Sequence, residues 1–241
     1  MSNGWNESAA AWIAVVGERG DWGREHVLDA AMLGRVKQGR FRSALDVGCG
    51  EGRFCRLLAQ ERIRATGIDP TAALVEEARR RDPNGEYRVG NAEKLEFADE
   101  CFDLVVSYLT LIDIADFRAA IAEMTRVLKV GGTLLIANLT SFTSACAAQG
   151  WVRDEHGRAL HFPVDRYLEE FAQWVEWRGI KIENWHRPLG AYMTELLQQG
   201  LVLRFFQEPA PRGGNPERSS LYCRAPWFIV MEWTKPSPPI V

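Results

Sequence analysis

Apolar positions along the 241-residue chain follow two rhythms. Near its start, residues 7–16 and 23–36 carry apolar side chains three and four apart, which predicts two helices broken by Gly17-Glu18-Arg19-Gly20-Asp21. From Ala44 onward, short apolar runs alternate with helical periods. Strands are predicted over residues 43–47, 65–69, 87–89, 102–107 and 133–138, with helices over 53–61, 70–81 and 116–128 between them. Runs as apolar as 102–107 are buried on both faces, and their alternation with helices argues for a parallel sheet wound by right-handed crossovers. Residues 201–207 and 227–233, separated by a Pro- and Gly-rich stretch, are predicted to be antiparallel neighbours.

Between the first strand and its helix stands Leu45-Asp46-Val47-Gly48-Cys49-Gly50-Glu51-Gly52. Glycines at alternate positions admit positive φ and bring the backbone close to a ligand, while the free N–H groups of the new helix face the same spot. A dinucleotide-binding turn would place a glycine at position 53, which is Arg, and Asp46 would repel a pyrophosphate. A ligand bearing an ammonium group suits that carboxylate better. Asp69, ending the second strand, stands beside the glycine turn at the carboxyl edge of the sheet. There it can accept both hydrogen bonds of a ribose diol, or cap the helix that begins at Pro70.

This stretch resembles motif I of the class I S-adenosylmethionine (SAM) methyltransferases, most closely their small-molecule, ubiquinone/menaquinone-methyltransferase-like branch. Gly90-Asn91-Ala92-Glu93 stands where that family contacts adenine, although an acid is usual at Asn91. Arg126-Val127-Leu128-Lys129-Val130-Gly131-Gly132 resembles the family's post-helix block, with Val130 where proline is commoner. The resemblance implies an α/β, Rossmann-like, seven-stranded and mostly parallel sheet with a C-terminal antiparallel strand, N-terminal helices and a cap inserted after the fifth strand. It implies one methyltransferase domain over 1–241: a helical lid (1–40), a cofactor-binding half (41–140), a cap (141–200) and a terminal strand pair (201–241). It also implies SAM as cofactor, with S-adenosylhomocysteine (SAH) as product, held by Trp12, Arg24, Asp46, Gly48, Cys49, Gly50, Asp69, Pro70, Asn91, Ala92, Glu93, Ser107 and Tyr108. Arg24 is the candidate for the methionine carboxylate.

Composition narrows the partners. A formal charge of −3 and a pI near 5.9 give no general attraction to nucleic acid or to anionic membrane, so neither is expected as a partner. Five cysteines without a C-x-x-C pair point to free thiols in a reducing cytoplasm, with no metal site. No apolar run approaches the length of a membrane span.

Residues 141–200 exceed a simple connection. A turn is expected at 154–157 and helices over 164–177 and 188–199. The segment concentrates aromatic residues and carries His161 and His186, so it is expected to supply most of an acceptor pocket. Attack by an acceptor N, O or C on the sulfonium methyl needs positioning and, for a hydroxyl or protonated amine, a base. Asp113, after the fourth strand, and His186 are the candidate catalytic residues, with His161 a further candidate. The expected function is methyl transfer to a small aromatic or apolar molecule. A methyltransferase acting on protein or RNA, a NAD-dependent oxidoreductase and a non-catalytic nucleotide-binding relative remain alternatives.

Overall fold

The computed structural model describes residues 3–146 and 150–237. Residues 1–2, 147–149 and 238–241 of the expected lid, cap and terminal segments lie outside the described residues. The chain runs α1 (Trp5–Val16), a π-helical turn (Arg24–Leu28) continuing into α2 (Asp29–Gln38), β1 (Ser43–Val47), α3 (Arg53–Gln60), β2 (Arg64–Asp69), α4 (Ala72–Arg81) and β3 (Glu86–Val89). Then come β4 (Phe102–Tyr108), α5 (Phe117–Val127), β5 (Leu128–Leu139) and α6 (Ser141–Ser144). The remainder is β6 (Val152–Arg153), β7 (Ala159–His161), β8 (Phe171–Trp177), β9 (Ile180–His186), α7 (Leu189–Gln198), β10 (Val202–Gln207), α8 (Pro216–Arg224) and β11 (Phe228–Thr234).

Seven strands form one sheet in the order β10-β11-β5-β4-β1-β2-β3. β11 is antiparallel to both β5 and β10, while β1 pairs in parallel with β2 and β4. Helices cover both faces because the central strands alternate between two apolar clusters. Val105 packs with Phe117, Ile121 and Met124 of α5 and Leu196 of α7 on one face. Leu104 and Val106 pack with Met32 of α2 and Phe54 and Leu58 of α3 on the other. The strand order reverses between β1 and β4, which opens a crevice at their carboxyl ends, where ligands of such sheets bind.

α1 does not rest on the sheet. Trp12 and Val16 pack against Ile180 and Ile182 of β9 and Leu74 of α4. Ser8 Oγ accepts from the Lys181 N–H at 2.9 Å and donates to the Lys181 carbonyl at 3.0 Å. The first helix and the β8–β9 hairpin therefore form a single layer above the strand tips.

Two expectations are corrected. Residues 164–177 are not a helix: 171–177 form β8, paired antiparallel with β9. Burial alternates strictly along β9, a period-two signature that outweighs the helical reading. The turn between the strands is Arg178-Gly179, both with positive φ (48° and 82°), the conformation that matches a two-residue hairpin. The stretch before the last strand is also more than a loop. It holds α8, started by Pro216 and capped by Asn215, whose side chain accepts from the Arg218 N–H at 2.9 Å. The expected turn at 154–157 is present, with Asp154 Oδ1 accepting from the N–H groups of His156 and Arg158.

Candidate functional site

The glycine turn makes a cradle over the crevice. Gly48, Gly50 and Gly52 all adopt positive φ (74°, 54° and 77°). A Cβ on Gly48 would lie 2.1 Å from Thr110 Cγ2, so glycine is required there by close packing as well as by φ. Asp46 lies on β1 just below, almost fully buried, with Oδ2 accepting from the Cys55 thiol and Oδ1 lacking any partner. Burial pushes its carboxyl up to about 7; the Cys55 hydrogen bond opposes this, and nearby Glu51 and Asp69 add to it. Glu51 is also buried; its Oε2 accepts from the Trp12 indole N–H at 3.4 Å and its Oε1 has no hydrogen-bond partner. Glu51 Oε1 faces the guanidinium groups of Arg56 and Arg81 at 3.7 and 3.8 Å, so the small cavity bordered by Asp46, Gly48, Gly50, Glu51, Trp12, Arg24 and Tyr108 presents the unpartnered Asp46 Oδ1 to a cation.

Arg24 closes the same cavity from the lid. The π-helical turn projects its guanidinium 4.8 Å above the Trp12 ring and 5.7 Å from that of Tyr108, where Asp21 Oδ2 accepts from it at 2.5 Å. Beneath it, the Tyr108 hydroxyl donates to Asp29 at 2.8 Å, and Asp29 is salt-bridged to Arg53 of α3. This buried chain fixes the lid's root to the helix after the glycine turn.

Toward β2 the cavity widens along Asp69, Pro70, Thr71 and Leu74 to Gly90, Asn91, Ala92 and Glu93. Asp69 accepts from the Gly50 N–H at 2.9 Å and the Thr71 N–H at 2.8 Å, one bond per carboxylate oxygen. Each oxygen keeps a lone pair, so holding the turn and receiving a diol are compatible. Burial raises its pKa; the Thr71 and Gly50 N–H bonds hold it down.

A second, larger chamber of about 520 Å³ opens on the lid side. Trp5, Trp12, Arg24, Leu109 and Asp113 border both chambers. Leu109 holds a left-handed backbone (φ 59°), an uncommon conformation for a branched side chain and one that turns the strand end outward. Beyond this shared wall the second chamber is lined by Trp22, Ile112, Trp177, Arg178, Ile182, Asn184, Arg218, Tyr222, Trp227 and Phe228. The cap contributes only its β8–β9 hairpin; the remaining walls come from the lid, the loop after β4, the end of β5, α8 and β11, a correction to the expectation that 141–200 supply most of it.

Asp113 Oδ1 accepts from the Asn184 side-chain amide across this wall. Desolvation raises its carboxyl well above the ordinary range; Arg24 pulls against that rise, Asp69 adds to it, and hydrogen bonds from Asn184 and Trp5 also lower it. The hairpin is stitched to the Asp113 loop by the Trp185 N–H to the Ile112 carbonyl (2.6 Å) and by buried Arg187, which donates to the carbonyls of Leu111, Ile114 and Ala115.

Thirteen of the expected residues border these connected cavities: Trp12, Arg24, Asp46, Gly48, Cys49, Gly50, Asp69, Pro70, Asn91, Ala92, Glu93, Tyr108 and Asp113. Two do not. Ser107 is fully buried within the sheet between Val47 and Ile136, below the cradle. His186 is fully buried as well, with Nδ1 2.8 Å from Ser144 Oγ and Nε2 2.9 Å from the Tyr167 carbonyl. Burial lowers its pKa, so it is a neutral structural ring and not a wall of the chamber. His161 lies exposed on β7 and borders none of these cavities. Sequence reasoning missed Trp5, Glu51, Leu109 and the α8 pair Arg218 and Tyr222; Glu51, inside the glycine turn, was the one with a visible signal.

Comparison with known proteins agrees with this geometry. Residues 45–136 match the methyltransferase domain family. Malonyl-[acyl-carrier protein] O-methyltransferase from Serratia marcescens is 29% identical over 145 residues, 60% of this chain and 52% of that protein. Demethylmenaquinone methyltransferase from Thermotoga maritima is 35% identical over 97 residues, 39% and 42% of the two chains. This chain therefore spans about half the length of these curated relatives. Among solved structures, an S-adenosylmethionine dependent methyltransferase from Mesorhizobium loti aligns with a TM-score of 0.72 at 25% identity, over 81% of this chain and 91% of that one. With the sheet order and the glycine cradle, these matches give residues 45–136 the pattern of the methyltransferase domain family and the chain the fold of SAM-dependent methyltransferases.

Proposed function

We propose that the protein transfers the methyl group of SAM to an N, O or C nucleophile of a small, aromatic or apolar molecule. The observation that carries this reading is the wall shared by the two chambers, Trp5, Trp12, Arg24, Leu109 and Asp113, which sets an acceptor space directly against the nucleoside space. Relatives named for malonyl-[acyl-carrier protein] and for demethylmenaquinone support methylation without identifying the acceptor.

The residues fit the cofactor. The unpartnered Asp46 Oδ1 suits the methionine ammonium, with Arg24 for its carboxylate, Asp69 for the ribose hydroxyls, and Asn91, Ala92 and Glu93 around adenine. Bound there, SAM supplies an electrophilic methyl carbon. The protein's part is positional: the tryptophans exclude water and align the acceptor, and Asp113 presents a carboxyl at the boundary. In the ligand-free protein burial makes that carboxyl hold its proton more tightly than a free carboxyl does, against the pull of Arg24. A cation nearby favours its ionised form, in which the carboxylate can receive a proton from an acceptor hydroxyl or ammonium.

A cytoplasmic setting is part of the proposal, supported by five free cysteines. No helix among the described residues is long and apolar enough to cross a membrane, and no cluster of His, Cys, Asp or Glu among them could hold a metal ion. The test is methyl release from isotope-labelled SAM across a panel of arenes, acyl thioesters, peptides and RNA. Label should pass to a small arene or apolar acceptor; transfer confined to peptide or RNA would overturn the acceptor assignment.

A further inference from the structure

The second chamber carries more information than its aromatic walls. Five tryptophans border it, Trp5, Trp12, Trp22, Trp177 and Trp227, which makes flat slots suited to a ring system. Its charges are less expected. Arg24 is paired with Asp21, which accepts from it at 2.5 Å, and it also borders the small cavity over Asp46, where it is assigned to the cofactor. Two further guanidinium groups, those of Arg178 and Arg218, have no carboxylate partner among the described residues, although the chain as a whole is acidic.

Their settings differ. Arg178 occupies the first position of the β8–β9 turn with φ 48°, a left-handed conformation in which asparagine or glycine is ordinarily found. The nearest acid on its hairpin, Glu176, faces Lys181 at 3.9 Å instead. Arg218, on α8, lies 4.6 Å over the Trp22 ring, which orients its guanidinium without neutralising it. The two reach the chamber from opposite insertions, the cap hairpin and the segment between the last two strands. Neither borders the nucleoside chamber or the small cavity over Asp46.

We propose that the acceptor is a planar aromatic anion, its ring seated among the tryptophans and a negatively charged group, distal to the methylated atom, bound between Arg178 and Arg218. This rests on the methyltransferase reading of the site. A carboxylate, sulfonate or phosphate would satisfy both guanidinium groups, and forked donors favour such planar or tetrahedral oxyanions over neutral acceptors. The protein thereby distinguishes an aromatic acid from its uncharged analogue at the far end of the pocket, away from the reacting atoms.

The test uses the full chain loaded with SAH and two probes of equal shape, 2-naphthoate and 2-naphthamide, followed by quenching of tryptophan fluorescence. SAH binding is measured by calorimetry in the same samples. Naphthoate should bind roughly three- to tenfold more tightly than the amide, the range expected for accessible charge pairs. The gap should narrow as salt is raised, and close in the R178Q/R218Q double variant. Equal or tighter binding of the amide, no quenching by either probe, or a preference that survives the double substitution would each overturn the proposal while SAH still binds. Failure of SAH to bind would overturn the cofactor reading, and this proposal with it.

Discussion

Asp113 and Asn184 meet across the boundary between the two chambers: the carboxyl belongs to the loop after β4 and the amide to the β8–β9 hairpin. The contact makes the cap part of the wall between the chambers although most of the cap lies elsewhere. Asp113→Asn should lower kcat/KM about a hundredfold, the lower end of what a positioned acid or base contributes. The rate should rise with pH as the Asp113 carboxyl ionises, and the variant should lose that limb of the profile. SAH affinity should change less than about threefold, since the residue is assigned to the acceptor side.

Asp69 should behave differently, because it faces the nucleoside chamber and holds the glycine turn. Asp69→Ala should cost SAH about 1.5–3 kcal/mol of binding, the scale of hydrogen bonds to a charged acceptor. Calorimetry on a variant shown to be folded by circular dichroism checks it. Gly48→Ala should abolish binding more completely, since a Cβ there collides with Thr110 and cannot hold φ at 74° without strain.

Asp46 makes stability depend on pH. Its carboxyl is raised to about 7 from 3.8, so the folded state holds this proton more tightly than the unfolded chain does. Its share of stability is complete below the unfolded value and is lost as pH rises through the folded one. The melting temperature of the ligand-free protein should therefore fall between about pH 4 and pH 7, and Asp46→Asn should flatten that decline. SAH affinity should move the opposite way over the same window, because the ligand's ammonium is bound by the ionised form.

His186→Ala is expected to act on folding. Its ring fills a buried site between Ser144 and the Tyr167 carbonyl, so removal leaves a cavity and unpaired polar groups worth about 2–4 kcal/mol of stability. Thermal melting should show the loss, while turnover per folded molecule at low temperature stays near that of the unaltered protein.

Much of the site is legible in the sequence because strand ends, glycine spacing and acids carry their chemistry in residue type. Asp46, Gly48, Gly50 and Asp69 can be assigned from residue order alone, since a parallel sheet brings its strand tips to one edge. His186 misleads because an imidazole has the same letter whether it is buried or aimed at a substrate; only its packing between α6 and β9 decides. The β8 strand is hidden by its aromatic residues, whose spacing in 164–177 also suits a helix until the partner strand is considered. Arg218 and Tyr222 sit on a helix with no buried residues, which gives a sequence pattern no apolar face to show. Leu109 carries no signal at all, since its left-handed backbone follows from the chain's turn out of β4.

Calorimetric titration of the ligand-free protein with SAH, beside NADH under the same conditions, tests the central claim most directly. SAH should bind one-to-one, with affinity lost in Asp69→Ala and Gly48→Ala, and NADH should give no heat of binding at that edge. Binding of NADH that the same two substitutions abolish, with no binding of SAH, would contradict the assignment of this crevice to S-adenosylmethionine.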